Sequence, residues 1–154
     1  MSIDLSAANT QLAEKSPQEI IRWALENSEN PLVTTNFRPY EAVILHMATQ
    51  IRPDIKVLWV DSGYNTSATY LFAEKVIEDL NLNVETYIPQ MTSARRNVLM
   101  KGIPDIDDPL HEEFTRQVKL EPFQRALAEL KPDLWLNAIR KDQTEFRQAM
   151  NIVS

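Results

Sequence analysis

The segment from Thr34 to Arg38 carries the residue types that bind an anion. It places two hydroxyls, an amide, an aromatic ring (Phe37) and a guanidinium between a predicted strand and Pro39, which is expected to open a helix. Free backbone N–H groups and the dipole at a helix N-terminus favour an anion there, and the guanidinium matches phosphate or sulfate. Polar strand–helix junctions are common, so an ordinary capped turn is the commoner explanation of this segment by itself.

A second polar segment runs from Asp61 to Asn65, behind another predicted strand. Gly63 is one of only two glycines in the chain, which indicates a positive φ or a close approach of a ligand to the backbone. Asp61 can accept from an exocyclic amine or a ribose hydroxyl, and Tyr64 can stack on a base. A turn in which Asp61 caps the next helix explains the same residues equally well.

The third segment follows the last predicted strand and contains three cations within eight residues, Arg140, Lys141 and Arg147. It is the only basic cluster that the sequence predicts where the strand ends converge, and both arginines can face a polyanion. A solvated charged loop is the commoner outcome for such a run. Lys119 stands shortly before a predicted helix with Pro122 in its first turn, where it either points at a ligand or is exposed.

The elements that position these segments alternate between short β-rich runs and amphipathic helical windows. Ser16 to Glu19 form a capping box with proline at the first helical position, and Lys56 to Val60 form an apolar strand of the kind that is buried on both faces. This alternation predicts one domain over residues 1–154, an α/β protein with a parallel sheet between two layers of helices. Ligands of such sheets bind at the carboxyl ends of the strands. The predicted strands are 31–34, 56–60, 83–88 and 133–138, and the predicted helices are 16–26, 39 to about 52, 66–80, 92–100, 111–116 and 121–130.

Apolar residues at helical or strand spacing are expected to form the core. His46 lies between two apolar residues of the second predicted helix, so we expect it in a structural position. Other residues expected in the core include Val43, Ile44, Met47, Ala48 and Ile51 of that helix, and Trp23, Trp59 and Trp135.

The composition excludes several classes of function. The chain has no cysteine, which removes disulfides, thiolate metal ligands and a cysteine nucleophile, and its two histidines cannot build a three-histidine metal site. Two glycines are too few for a GxGxxG or Walker-type loop. The apolar runs are far too short for a membrane helix, and the net charge of −6 argues against binding to nucleic acid or an anionic membrane. The chain opens without the pattern of a secretory signal, so we expect a cytoplasmic protein.

Taken together, these segments resemble the phosphoadenylyl-sulfate (PAPS) reductase family, which has the adenine-nucleotide α-hydrolase-like fold. Thr34 to Arg38 stand where the family has a Ser-Ser-Ser-Phe-Gly loop, and Asp61 to Tyr64 are similar to its Asp-Thr-Gly-Tyr. Lys119 to Pro122 are similar to Lys-Val-Glu-Pro, and Arg140 to Gln143 with Arg147 resemble Arg-Arg-x-Gln followed by Arg. Each motif is weak alone, but the four occur in the family's order and spacing.

The resemblance implies a role for each segment. The hydroxyl-rich loop would hold a phosphate, the Asp61 segment the adenosine, and Lys119 with the two arginines the phosphosulfate and the extra phosphate. The ligand would be PAPS or adenosine 3′,5′-bisphosphate. The substrate-binding residues implied in this way are Thr34, Thr35, Asn36, Phe37, Arg38, Asp61, Gly63, Tyr64, Lys119, Glu121, Arg140, Gln143 and Arg147.

The resemblance also implies a reaction and its partners. In the family, a cysteine thiolate from a C-terminal Glu-Cys-Gly-Leu-His tail attacks the sulfur, and the departing nucleotide leaves a cysteine S-sulfonate. Thioredoxin or glutaredoxin then reduces the S-sulfonate and releases sulfite, a step of assimilatory sulfate reduction. An exposed sheet edge in an acidic chain would also allow a homodimer.

Three departures from the family pattern stand out. The cysteine tail is absent from this sequence, and the family's sheet usually has one more strand beyond this point, so the sheet is expected to lack its last strand. Arg38 replaces the loop glycine, where it can either clamp a phosphate or block it. Relatives that use adenylyl sulfate carry a cysteine pair before Lys-x-Glu-Pro, and residues 114–118 have none. This favours the class without an iron–sulfur cluster, and no cofactor is expected.

Two alternatives to the reductase reading remain open. The missing cysteine and Arg38 both favour a non-catalytic adenine-nucleotide-binding module. An adenylyl transferase similar to the small subunit of ATP sulfurylase is less favoured, because the first loop lacks the Ser-x-Gly-x-Asp-Ser form that such enzymes use around ATP.

Overall fold

The fold is a four-stranded parallel sheet between helices, seen in a computed structural model that describes residues 3–154. Eight α-helices, α1 to α8, and four strands, β1 to β4, are described in this range. A π-helical turn joins α6 to α7, and a 3-10 turn precedes α8. The elements in chain order are α1 (Leu5–Leu12), α2 (Pro17–Glu26), β1 (Pro31–Thr35), α3 (Glu41–Ile51), β2 (Lys56–Val60), α4 (Ser67–Leu80), β3 (Asn83–Tyr87), α5 (Ser93–Met100), α6 (His111–Thr115), the π turn (Arg116–Leu120), α7 (Glu121–Leu130), β4 (Leu134–Leu136), the 3-10 turn (Lys141–Gln143) and α8 (Glu145–Gln148).

The strands lie in the order β3-β2-β1-β4, and every neighbouring pair is parallel. Val33 of β1 is in register with Val57 of β2 and with Leu136 of β4. All four carboxyl ends therefore meet at one edge of the sheet, because parallel strands share a direction. The predicted α/β class with a parallel sheet is confirmed.

Two apolar clusters cover the two faces of the sheet. Successive residues of a strand point to opposite faces, so Val33 joins the larger cluster with α2, α3 and α4, whereas Leu32 joins the smaller cluster under α7. In β2, Val57 and Leu58 divide in the same way. Helices on both faces give the predicted three layers.

The capping box predicted at Ser16 is present, and side-chain caps also open α4 and α5. The backbone N–H and the hydroxyl of Ser16 both donate to Glu19 Oε2, at 2.9 and 2.8 Å, and the Glu19 N–H donates back to the hydroxyl. These bonds to Ser16 hold the pKa of Glu19 down at about 2. Thr66 and Thr92 cap α4 and α5 through their hydroxyls.

Several details differ from the sequence-based expectations. Helix α1 was not predicted; it packs through Ala8 and Leu12, which are buried. Val43 and His46 face outward from α3, where Leu45 takes the core position instead. Trp135 was expected in the core but is 46 % exposed, because β4 is a short strand at the edge of the sheet. Within residues 3–154, no helix is both long enough and apolar enough to cross a bilayer.

Candidate functional site

The β1–α3 junction is closed by a carboxylate of the protein itself. Glu41, in the first turn of α3, accepts from the Thr35 hydroxyl at 2.9 Å and from the Asn36 backbone N–H at 2.6 Å. The Phe37 N–H donates to the Thr35 hydroxyl oxygen at 2.9 Å. Donors that the sequence assigned to an anion thus already have acceptors, and the anion at the positive end of α3 is Glu41.

Phe37 fixes the path of this loop. Its φ is 53°, in the left-handed region that non-glycine residues seldom adopt, and its buried ring packs edge-on against Trp59 with centroids 4.9 Å apart. The aromatic anchor therefore holds a tight turn without a glycine. Arg38, the next residue, is exposed.

Thr34 and Trp135 join the ends of β1 and β4. The indole Nε1 of Trp135 donates to the Thr34 hydroxyl oxygen at 2.9 Å. The indole ring also packs against Phe123 of α7, with centroids 5.4 Å apart. Trp135 thus links β4 to β1 by a hydrogen bond in the candidate site and is not the core residue that the sequence predicted.

The segment after β2 is organised by Asp61. Its Oδ1 accepts from the Gly63 N–H at 3.0 Å, from the Asn65 side-chain amide at 3.0 Å and from the Tyr70 hydroxyl at 2.8 Å. Partial burial and the Asp61 carboxylate together raise the pKa of Tyr70. Gly63 has the positive φ that the sequence predicted, at 79°. Asp61 forms the expected turn, but the next helix is capped by Thr66.

Tyr64 turns away from Asp61 towards α5 and α6. Its hydroxyl donates to Asn97 Oδ1 at 2.8 Å, and its ring meets Phe114 edge-on with centroids 5.1 Å apart. The guanidinium carbon of Arg96 lies 5.9 Å from the ring centroid. The Tyr64 ring, which the sequence analysis suggested for stacking on a nucleotide base, is therefore packed against Phe114 and Arg96.

The segment after β4 reaches the β1–α3 loop. The Arg140 guanidinium carbon lies 5.7 Å from the centroid of the Tyr40 ring, and its Nε is 3.5 Å from a carboxylate oxygen of Asp142. Arg147 Nη1 donates to Gln143 Oε1. Arg140 thus lies beside Tyr40, two residues beyond the first segment.

Lys119 and Glu121 lie beside the β3 end of the sheet edge. Lys119 is exposed in the π turn. Glu121 accepts from Arg125 Nε at 2.8 Å, and this bond lowers the pKa of the carboxyl. Arg125 Nη2 donates in turn to the carbonyl of Ile88, just after β3, at 2.8 Å. Because β3 and β4 are the two outer strands, Glu121 and Arg140 lie towards opposite ends of the sheet edge.

A second basic cluster, which the sequence analysis missed, lies near Glu121. Arg95, Arg96 and Arg116 line a cleft of about 320 Å³. The expectation of a single basic cluster near the strand ends was therefore wrong. The sequence indicates this second cluster only through the adjacent arginines in the first turn of α5, after the Thr92 cap. No local sequence pattern predicts the π turn that brings Arg116 to the cleft.

Comparison with known proteins places the chain in a family. Residues 30–154 match the profile of the phosphoadenosine phosphosulfate reductase domain. The chain belongs to this family. It is 40 % identical to phosphoadenosine 5′-phosphosulfate reductase of a Synechococcus species over 153 residues, and 35 % identical to that of Vibrio parahaemolyticus over 156 residues. These matches cover 97 % of this chain but 65 % and 58 % of the two relatives, so the chain spans less than two thirds of their length.

Solved structures agree with the family and the fold. The PAPS reductase of Candida auris, in complex with phosphate, superimposes with a TM-score of 0.77 and 28 % identity, over 93 % of this chain and 71 % of that one. An NH3-dependent NAD synthetase from Campylobacter jejuni, at 12 % identity and a TM-score of 0.55, shares the fold alone. The adenine-nucleotide α-hydrolase-like fold that the motifs implied is confirmed.

Proposed function

We propose that this chain is the nucleotide-binding part of a PAPS reductase. It binds the adenosine 3′,5′-bisphosphate portion of PAPS along the carboxyl edge of the sheet. The position of Arg140 carries the proposal: its guanidinium lies 5.7 Å from the Tyr40 ring, which brings the cation after β4 beside the loop after β1. The relatives that match nearly the whole chain are named as PAPS reductases, which supports the choice of substrate.

The loop after β1 holds a phosphate of the nucleotide, with Arg38 at its exposed end. Because Glu41 already accepts from Thr35 and Asn36, the incoming phosphate has to displace this carboxylate or bind in front of it. We expect Arg140 and Arg147 to supply the positive charge that makes this displacement favourable, since a guanidinium pairs with phosphate through two parallel hydrogen bonds.

The adenosine lies across the β2 end, near the Asp61 turn. Lys119 serves the sulfo end of the nucleotide. Gly63 leaves the backbone open to a ligand, because it has no side chain at a turn with φ of 79°. Tyr64 has to leave Phe114 and Arg96 if it is to stack on the base.

Reduction of the sulfo group needs a thiolate, and this sequence contains no cysteine. The proposed reaction therefore takes its thiolate from outside these residues, with thioredoxin or glutaredoxin as electron donor, in cytoplasmic sulfate assimilation. We also propose that the reaction uses no iron–sulfur cluster and no other cofactor, because residues 114–118 lack the cysteine pair that relatives using adenylyl sulfate carry there. We include a homodimer in the proposal.

A second candidate is a nucleotide-binding module without reductase chemistry. The bonds from Thr35 and Asn36 to Glu41 favour it, because they close the loop that would hold a phosphate. The coding sequence beyond Ser154 separates the two candidates. A downstream Glu-Cys-Gly-Leu-His supports the reductase, and a stop codon supports the module.

Calorimetry with adenosine 3′,5′-bisphosphate and with adenosine 5′-monophosphate tests nucleotide binding. We expect Arg140→Ala and Arg147→Ala to weaken the bisphosphate about tenfold or more, and the monophosphate less, since a hydrogen bond to a charged group contributes about 1.5–3 kcal/mol. Arg22→Ala, which removes an exposed arginine of α2, is the matched control. No binding at millimolar bisphosphate, or equal losses for both nucleotides, contradicts the proposal.

A further inference from the structure

The arginine cleft beside the β3 end has a net positive charge. Three arginines and one glutamate line it, which gives a formal charge of +2. Its volume of about 320 Å³ exceeds by far the ~30 Å³ that a water molecule occupies in the liquid. The cleft therefore has room for a small hydrated anion. Its lining residues are Gln90, Met91, Arg95, Arg96, Arg116, Gln117 and Glu121.

Arg96 is a fully buried cation at the wall of this cleft. Its exposed fraction is 0 %. Its Nε donates to Gln117 Oε1 at 3.0 Å and its Nη2 donates to the carbonyl of Met91 at 2.7 Å, but Nη1 has no hydrogen-bond partner within residues 3–154. Among the same residues, no carboxylate pairs with it within 4.0 Å. A buried guanidinium keeps its charge, so this arrangement is costly without a counter-ion.

The carboxylates near the cleft already pair with arginines other than Arg96, one of them the cleft residue Arg116. Glu113 accepts from Arg116 through Nε at 2.7 Å and Nη2 at 2.6 Å, and from the Gln117 amide at 2.8 Å. Glu121 is held by Arg125. Since Gln117 bridges Glu113 and Arg96, it orients the buried guanidinium without neutralising it. Arg95 is exposed and pairs with no carboxylate in the described part of the chain.

We infer that this cleft binds a tetrahedral oxyanion of the sulfate or phosphate class, with Arg96 as its buried anchor and Arg95 and Arg116 at its mouth. A dianion matches the formal charge of the lining residues, and planar guanidinium groups donate pairs of parallel hydrogen bonds to such oxygens. The oxyanion is either a free inorganic ion or the terminal group of a bound nucleotide. The inference does not depend on the proposed function, because it uses none of the residues around Arg140.

Inorganic sulfate is the probe for this site. The full chain is titrated with sodium sulfate against sodium chloride of equal ionic strength, and the arginine Nε–H and side-chain amide resonances are followed by NMR. We expect a saturable shift of the Arg96 Nε–H and of the Gln117 amide. Arg95→Ala and Arg96→Gln should each weaken sulfate binding by about tenfold, as expected for loss of a charged hydrogen-bond donor. Arg22→Ala, which lies outside the cleft, should leave it unchanged.

Arg96→Gln removes a buried side chain and can fail to fold, so Arg95→Ala and Arg116→Ala, both at exposed positions, keep the test decisive. A second titration with adenosine 3′,5′-bisphosphate present distinguishes the sources of the oxyanion. Competition with sulfate identifies a group of the nucleotide, and independent binding identifies a free ion; either result supports the site. A sulfate response that never saturates, or one that is the same in Arg95→Ala, Arg116→Ala and Arg22→Ala, overturns it.

Discussion

The two ends of the same sheet edge differ in whether their hydrogen-bond donors are paired with protein carboxylates. At the β1 and β2 ends, donors converge on protein carboxylates, those of Glu41 and Asp61. Beside the β3 end, the buried Arg96 donates hydrogen bonds to an amide and a carbonyl oxygen and lies 5.9 Å from the Tyr64 ring centroid, and no described carboxylate pairs with it. The first arrangement is satisfied without a ligand, whereas the second leaves a buried charge that an anion would compensate. Polar residues at a strand end are therefore a weaker sign of an anion site than a buried cation without a carboxylate.

Removing the Asp61 carboxylate should have the largest effect on the satisfied end. Asp61→Ala leaves the Gly63 N–H, the Asn65 amide and the Tyr70 hydroxyl without their shared acceptor. Since an unsatisfied buried group costs about 1–3 kcal/mol, we expect a loss of about 2–3 kcal/mol in urea-induced unfolding for this half-buried cluster. Asp61→Asn keeps one acceptor oxygen and should lose less. Asp105→Ala, on an exposed loop, is the control.

The same variants have a signature at high pH. Burial and Asp61 raise the pKa of Tyr70 in the folded protein. A raised pKa stabilises the fold below the unfolded value of about 10, and this contribution disappears as the pH rises through the folded value. Asp61→Asn should lower the pKa of Tyr70 and shrink this alkaline loss of stability. If absorbance titration of the tyrosines is the same in both proteins, Asp61 does not act on Tyr70 in this way.

Glu41→Ala should leave the donors at the β1 end without a protein carboxylate, as in the arginine cleft. The variant frees the Thr35 hydroxyl and the Asn36 N–H, which costs about 1–2 kcal/mol of folding stability, but it also removes the negative charge that competes with a phosphate. We expect tighter binding of adenosine 5′-monophosphate by calorimetry together with a lower urea midpoint. Glu74→Ala removes an exposed carboxylate of α4 as the control. A stability loss with unchanged nucleotide affinity would show that Glu41 is a structural cap and nothing more.

The sequence predicted the sheet well because its signals are local. The apolar run of β2 and the capping residues Ser16, Thr66 and Thr92 each mark an element through contacts within a few residues. The four motifs identified the family because each is a short stretch of sequence that can be recognised without knowing the fold. These signals give the order of the elements, and the parallel crossovers then determine which ends meet.

The chemistry of individual side chains depended on contacts that no local pattern reports. Arg95 and Arg96 are adjacent in sequence, yet one is exposed and the other buried, because neighbouring helical residues point in different directions. The hydrogen bond from Thr35 to Glu41 joins residues six positions apart across a loop in which Phe37 has a positive φ, and no local pattern indicates this loop path. The exposed position of Trp135 follows from β4 being an edge strand, which the order of the strands decides.

The smallest expected effect sharpens the comparison at the β3 end. Hydrogen bonds from Arg116, and then from Gln117, hold the pKa of Glu113 at about 2, below its ordinary value of 4.5. This depressed pKa stabilises the fold above pH 4.5, and the contribution is lost as the pH falls towards 2. Because both partners of the pair are largely exposed, Glu113→Gln should change the urea midpoint at neutral pH only slightly.

Removing the carboxylate frees part of Arg116 and makes the surroundings of the cleft more positive. The variant should therefore bind sulfate more tightly than the natural chain, while Asp79→Asn, which breaks an exposed pair with Lys75 on α4, should not. Weaker sulfate binding in Glu113→Gln would mean that Glu113 serves the cleft by orienting Gln117 and Arg96, and that its charge does not compete with the anion.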